Sequence, residues 1–422
     1  NRAQRSWVYR AAKNIDSTVA FGSTQPLNTA GDFIFLNGAF PPLDEEVAQP
    51  AELTFGEGYA REPYATRSLF NISGMSFGAL SVPAIRALSN GAREAGIWMN
   101  TGEGALSPYH LEGGCDIVFQ IGTAKYGVRD ENGDLSDTKL AEVAAHPQIR
   151  MFEIKLSQGA KPGKGGILPA AKVTDVIAST RGIPPGQDSI SPNRHRDVAN
   201  IEQLLDLICH VRDVTGKPTG IKAVIGDATW LQEMCDRIHA RGLDCAPDFI
   251  TVDSADGGTG AAPQSLMDYM GLPLKRSLPL VVDTLVRNGL RERIRVICSG
   301  KLINPSGVAA ALCMGADAVN SARGFMFALG CIQALQCNKN TCPTGITTHD
   351  KDLQRGLDPT DKAQRVKNYA QNLQHEVEVI AHSCGVPEPR QLRRRHAQII
   401  NEHGIPEPLT DVVPEAAAAN AG

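Results

Sequence analysis

"FITVDSADGGTGAAP", residues 249–263, is a β-rich run that ends in an acidic residue and breaks into a glycine loop. Glycines let backbone N–H groups approach an anion closely, so such a loop can form a nest for a phosphate. Seven more short apolar runs follow: "SLFNIS" at 68–73, "GIWMNTG" at 96–102, "DIVFQIG" at 116–122, "MFEIKLS" at 151–157, "RVICSG" at 295–300 and "AVNSAR" at 318–323 end in polar or glycine residues, and "TGIKAVI" at 219–225 carries a lysine within it. Helical patterns separate them, clearest at 82–95, 199–214, 229–242, 278–292 and 305–314. Asn304 and Pro305 offer a cap and a first turn to the last of these.

Eight strands within residues 68–323 fit the size of an α/β TIM (β/α)8 barrel. An open doubly wound sheet gives the same alternation. However, "SGMSFGALS" after the first strand does not fit the G-x-G-x-x-G turn of that fold. The predicted organisation is a barrel domain at 68–350, an N-terminal extension at 1–67 and a small helical tail at 351–422, with the terminal "PEAAAANAG" disordered.

Composition is that of a globular protein: 42% hydrophobic and 21% charged residues, with a net charge of -4 that argues against a nucleic-acid partner. No run nears the roughly 18 apolar residues of a membrane span. The chain opens at Asn1 without Met, so a removed leader, anchor or tag is an expectation. Arg2, Arg5, Arg10 and Lys13 around Trp7 and Tyr9 would suit a membrane surface, although a solvated extension is the preferred reading. Most of the ten cysteines sit singly; only Cys331, Cys337 and Cys342 cluster, with Pro343 behind the last. That usage points to a reducing compartment and a metal or redox role. A cytoplasmic location is expected, with membrane association through a segment before Asn1 as the alternative.

In a barrel the chemistry lies at the C-terminal ends of strands. Lys155 closes the apolar strand "MFEIKLS", where a lysine must face a functional mouth or a buried anion. Beside a flavin, such a cation would stabilise negative charge on the reduced ring. Arg181 is a candidate for gripping a substrate carboxylate through both ends of its guanidinium. Strands seven and eight end in "CSGK" and "SARG", again glycine with a cation, and together with the 253–263 loop they predict a phosphate-bearing cofactor. For the three cysteines, zinc with His349 as a fourth ligand, reactive-thiol or disulfide chemistry, and an iron–sulfur cluster lacking one iron corner all stay open.

"ISGMSFGALS", "NTGEG", "KLSQGAKPGKGGILP", "DGGTGAAP" and "GCIQALQCNKNTCPTGITT" occur in this order and closely resemble the FMN-binding synthase domain of glutamate synthase. The resemblance covers roughly residues 68–350. It implies FMN against Met75 and Ser76 with Asn100 and Lys155 nearby, its phosphate on Gly257, Gly258, Gly300, Arg323 and Gly324, and a 3Fe–4S cluster on Cys331, Cys337 and Cys342. The family's 2-oxoglutarate pocket maps onto Glu103, Gln158, Lys161 and Arg181, with Lys155 and Glu103 as catalytic residues. The implied reaction passes electrons from the cluster to FMN, which reduces an imino acid made from a 2-oxo acid and ammonia. The FMN subunit of N-methylglutamate synthase and an electron-transfer flavin subunit without its own substrate are the alternatives. An electron donor (ferredoxin or a reductase subunit), amidotransferase and β-helix partner chains, and an oligomeric state are further expectations.

Three departures bear on this reading. No cysteine precedes Cys115 and no glycine-rich β-helix follows the barrel, so neither the amidotransferase nucleophile nor the β-helix of full-length enzymes is expected within residues 1–422; and "GGILPA" stands where the family has "GGQLPG". A stand-alone synthase-like domain is therefore expected. At the third departure, Ile167 cannot donate the hydrogen bond of a glutamine, a loss of roughly 0.5–1.5 kcal/mol. Ile167→Gln should accordingly tighten 2-oxoglutarate several-fold in a flavin-absorbance titration; equal affinity in wild type and variant would show that the position is neutral.

Overall fold

The computed structural model describes residues 2–413, so the "PEAAAANAG" segment lies outside the described residues. All eight expected strands form, and they close into a parallel barrel in chain order. Helix α1 (Arg2–Ala12) precedes strand β1 (Phe70–Ile72), followed by α2 (Val82–Ala95), β2 (Met99–Asn100), β3 (Ile117–Ile121), α3 (Asp137–Ala144) and β4 (Ile149–Lys155). The second half runs α4 (Ile201–Thr215), β5 (Thr219–Ala223), α5 (Thr229–Arg241), β6 (Phe249–Asp253), α6 (Leu274–Arg287), β7 (Arg295–Ser299), α7 (Pro305–Cys313), β8 (Ala318–Ser321) and α8 (Arg323–Ala328). The local signals explain the helix ends. Asn200 and Asn304 accept from Gln203 N and Gly307 N as N-caps, and Gly96 closes α2 in the left-handed conformation.

The floor of the barrel is dry and apolar. A hairpin pairing Leu53–Phe55 with Tyr64–Thr66 sits at the N-terminal ends of the strands. Its Phe55 makes edge contacts with Trp98 at 5.9 Å and Phe249 at 5.7 Å, beside Val118, Met151 and Ile297. Residues placed by sequence in an N-terminal extension thus plug the bottom of the barrel and leave the opposite end for chemistry.

The stretch read as a helical tail completes the outer ring. Its main element, α9 (Pro359–Ser383), buries Val366, Tyr369, Leu373 and Val377 and is 25 residues long. Tyr369 packs edge-on against Phe70 of β1 and Phe325 of α8, and its hydroxyl donates to Ile303 O at 3.0 Å. Beyond α9, Ala397–Ile400 pairs antiparallel with Phe33–Phe35 and with Pro406–Pro408, which ties the two ends of the chain together. Both flanks belong to one body with the barrel.

Helices α2 and α9 cross at Gly91, where an added Cβ would lie 2.5 Å from Val366 Cβ and 2.7 Å from Ala363 O. Gly91→Ala should lower stability by about 1–3 kcal/mol through overpacking, although alanine is better than glycine by about 1 kcal/mol in an isolated helix. A reduced urea midpoint at unchanged slope is the expected readout; a raised midpoint would show that the two helices are loosely apposed.

Candidate functional site

Parallel register sets Lys155 of β4 level with Lys222 of β5 at the C-terminal mouth. Two neighbouring cations inside a barrel need anions, and the next loops and strands provide them. Lys155 Nζ lies 3.0 Å from Glu103 Oε2, and Lys222 Nζ lies 3.4 Å from Asp253 Oδ2. Burial alone would raise the Glu103 carboxyl, but Lys155, Lys161 and Arg181 together more than offset that and hold it below its usual range. Burial likewise opposes the charge on Lys222, while Asp253 and Glu153 raise it above its ordinary value.

Lys155 Nζ also donates to Gln158 Oε1 at 2.8 Å. Lys161 is buried nearby, its pKa lowered by burial and by Lys155, with Glu103 opposing. Arg181 stacks its guanidinium 5.2 Å from the Tyr126 ring and donates from Nη1 to Ser189 Oγ and from Nη2 to Phe77 O. Both ends of the expected carboxylate fork are thus engaged within the protein, and Arg181 acts as a fixed positive wall whose buried Nε lacks a protein partner among the described residues. Ile167 sits at the rim, half exposed.

Glycines open the other side of the same cavity. A Cβ at Gly257 would lie 2.9 Å from Ser254 O, and one at Gly258 2.8 Å from Arg323 Nη2. Gly300 has φ +132°, and a Cβ there would lie 2.5 Å from Ser254 Cβ. Any side chain would fill this cradle, and the Arg323 guanidinium above it enters no ion pair among the described residues. Donors and a cation around an empty concavity suit a phosphate.

The cavity measures about 460 Å³ and is lined by Met75, Ser76, Glu103, Lys155, Gln158, Lys161, Arg181, Gly257, Gly258, Gly300, Arg323 and the three clustered cysteines. Two sequence candidates are placed behind its wall. Asn100 is buried, donating to Glu153 Oε1 at 2.9 Å and accepting from Gly102 N at 2.8 Å, so it shapes the wall from inside the barrel. Gly324 lies against Tyr369, whose Oη would be 2.0 Å from an added Cβ, so its smallness serves helix packing.

The cysteine loop carries unusual backbone. Gln333, Leu335 and Asn340 all have φ near +60°, a region that costs non-glycine residues of order 1–2 kcal/mol each. Burial pushes Cys342 up, but hydrogen bonding from Thr344 and the turn after it outweighs this and brings the thiol to about 7. Lys172, held at about 8 by burial against the attraction of Cys337 and Cys342, donates to Cys337 O at 3.2 Å. His349, weighed as a zinc ligand, instead donates Nε2–H to Gly78 O at 2.8 Å, in keeping with a ring that burial keeps neutral.

Several site residues were not singled out from sequence. Asp253 binds Lys222, accepts from Gly159 N at 2.9 Å and from Ser299 Oγ at 2.6 Å, and so joins the end of β6 to β5, β7 and the loop after β4. His195 meets Lys155 O through Nε2 at 3.0 Å. Lys222 carried the same signal as Lys155, a lysine inside the apolar run "TGIKAVI"; His195 and Lys172 lie in loop sequence that carries no pattern.

Residues 44–387 match the family model described as the conserved region in glutamate synthase. The glutamate synthase large subunit-like protein YerD of Bacillus subtilis (strain 168) is 43% identical over 350 residues, covering 83% of this chain and 66% of that protein. The archaeal glutamate synthase (NADPH) of Methanocaldococcus jannaschii is 35% identical over 326 residues, covering 76% of this chain and 60% of that protein. The chain therefore spans about two thirds or less of these relatives' length. Among solved structures, a mandelate oxidase with (S)-4-hydroxymandelic acid aligns at TM-score 0.53 and 15% identity over 94% of this chain and 99% of that one. A mandelate oxidase carrying a monooxide FMN adduct aligns at TM-score 0.50 and 16% identity, over 94% and 92%. At such identities the likeness is one of fold.

Because its folded pKa is lowered, Glu103 contributes stability that is complete above its usual value of 4.5 and is lost as pH falls through the lowered one. Glu103→Gln should cost up to about 3 kcal/mol at neutral pH by leaving buried cations unpaired. The gap from wild type in urea midpoint should narrow below pH 4.5; a gap independent of pH would show that the carboxylate charge does not stabilise this site.

Proposed function

The chain belongs to the glutamate synthase family, and from that premise we propose that it is a flavin-dependent oxidoreductase in which a 2-oxo acid is reductively aminated. The observation that carries the reading is that one cavity gathers a cluster of cations, a glycine cradle beside the Arg323 guanidinium, and three cysteines. The cradle fits the phosphate of FMN, the cofactor named in one of the structurally similar oxidases. Cys331, Cys337 and Cys342 line the same cavity, and three thiol side chains there would suit the ligation of an iron–sulfur centre. When bound, FMN would supply hydride to an imino acid and the cluster a one-electron path to the flavin.

The chain's own residues would bind and orient the substrate. Lys161 and the Arg181 wall supply positive charge for carboxylates, and Gln158, held by Lys155, supplies an amide at the same place. Lys155 Nζ, 3.0 Å from Glu103 Oε2, would donate a proton to the oxyanion that develops as ammonia adds to the 2-oxo carbon, with the carboxylate stabilising the ammonium until then. Ammonia and electrons would come from partner chains or solution. A second reading, an electron-transferring flavin subunit without its own substrate, rests on Ile167 at the rim, where no hydrogen bond can be offered.

Protein purified without oxygen should be yellow-brown, holding FMN, acid-labile sulfide and about three irons per chain. Addition of 2-oxoglutarate should perturb the flavin spectrum. A colourless preparation, or one with zinc and no sulfide, would overturn the reading; flavin and iron with no response to any 2-oxo acid would favour the substrate-free subunit.

A further inference from the structure

Helix α1 lies outside the barrel wall, yet it reaches the cysteine loop with two side chains. Tyr9 donates its hydroxyl to Cys331 O at 2.5 Å, and its ring packs edge-on against Phe327, with centroids 6.2 Å apart. Arg5 Nη1 donates to Ile332 O and to Gln333 Oε1, both at 3.3 Å. The side chain thus held belongs to the residue whose own backbone N–H donates to Cys331 Sγ at 3.5 Å and whose φ is +59°.

The helix is itself fixed from behind. Asn372 and Asn368 of α9 donate to Ala11 O and Ala12 O at 2.9 and 3.1 Å, Trp7 packs edge-on against Tyr369, and Val8 is fully buried. A helix fixed from behind that hydrogen-bonds to a cysteine and to the two residues after it is more than a cover for the barrel. It holds a left-handed turn that glutamine would not otherwise keep, and that turn aims an amide at sulfur. Amide donors to cysteine sulfur are among the features that tune iron–sulfur centres.

We infer that α1 is a clasp whose Arg5 and Tyr9 are positioning residues for Cys331 and, through Gln333 N–H, for the electronic character of the centre the three cysteines hold. The inference rests on the iron–sulfur reading above for its consequence but not for its geometry. The two differ in what they predict. A cover for the barrel needs only the rings of Trp7 and Tyr9; a clasp needs the Tyr9 hydroxyl and the Arg5 charge.

The test uses the full chain as wild type, Tyr9→Phe and Arg5→Gln. In iron-free protein, alkylation of each cysteine by iodoacetamide is followed by mass spectrometry. In anaerobically reconstituted protein, iron loss to a chelator and the cluster midpoint potential are measured. Losing Arg5 or the Gln333 N–H also lowers the Cys331 thiolate fraction, so rates are compared per thiolate from each variant's pH–rate profile. On that basis both variants should alkylate Cys331 faster by roughly 2- to 10-fold, the range one hydrogen bond is worth, with Cys337 unchanged. They should also lose iron faster and shift the potential, while the melting temperature stays that of wild type because the Tyr9 ring still packs on Phe327. Unchanged Cys331 alkylation in both variants would overturn the clasp. Failure of wild type to take up iron would sink the iron–sulfur reading alone, since the alkylation comparison still decides the clasp.

Discussion

Glu153 is sealed inside the barrel, where an ionised carboxylate is tolerable only if its oxygens are hydrogen-bonded. Oε1 accepts from Asn100 Nδ2 at 2.9 Å and from Gln120 Nε2 at 2.6 Å; Oε2 accepts from Thr251 Oγ1 at 2.6 Å. These partners come from β2, β3 and β6, so one carboxylate links strands from across the barrel. It also adds to the negative charge that keeps Lys222 protonated. Below this polar layer the barrel is closed by Phe55 and its aromatic neighbours, and above it the cavity opens.

The mouth inherits its charge pattern from that layer. Lys155 and Lys222 lie side by side because parallel register puts them there, and each is tolerated because a carboxylate from another element reaches it. Asp253 does more than balance charge. By accepting from Gly159 N and Ser299 Oγ it ties the long loop after β4 to the ends of β6 and β7, which fixes the cation cluster relative to the glycine cradle. The cation cluster and the glycine cradle are thus held together by a few buried pairs, and low dielectric makes each of them strong and each orphan costly.

The flanking segments serve the same site. Residues 53–66 plug the floor, α9 closes the outer ring against α2, and α1 reaches the cysteine loop. The family match, residues 44–387, takes in the floor hairpin and α9 along with the barrel, while α1 lies outside it.

The sequence alone determined the eight strands, most of the helices between them and the polar end of the barrel, while the short α3 and α8 were not among its helical patterns. Those signals are local: apolar runs, caps, and glycines or lysines directly after a strand. It also marked Lys155 as a cation closing an apolar run, Gly257 and Gly258 as a glycine loop directly after a strand, the cysteine trio by its clustering, and Glu103 through the family resemblance. Tertiary structure decided the rest. Asn100 and Gly324 share those loops with true cavity residues, and only side-chain direction and packing show that one supports the wall and the other a helix contact. Asp253, His195 and the Arg5 and Tyr9 contacts join residues far apart in the chain, and α9 reads as a tail until its partner α2 is seen. Such pairings depend on which surfaces meet when the barrel closes, and a linear pattern carries no record of that.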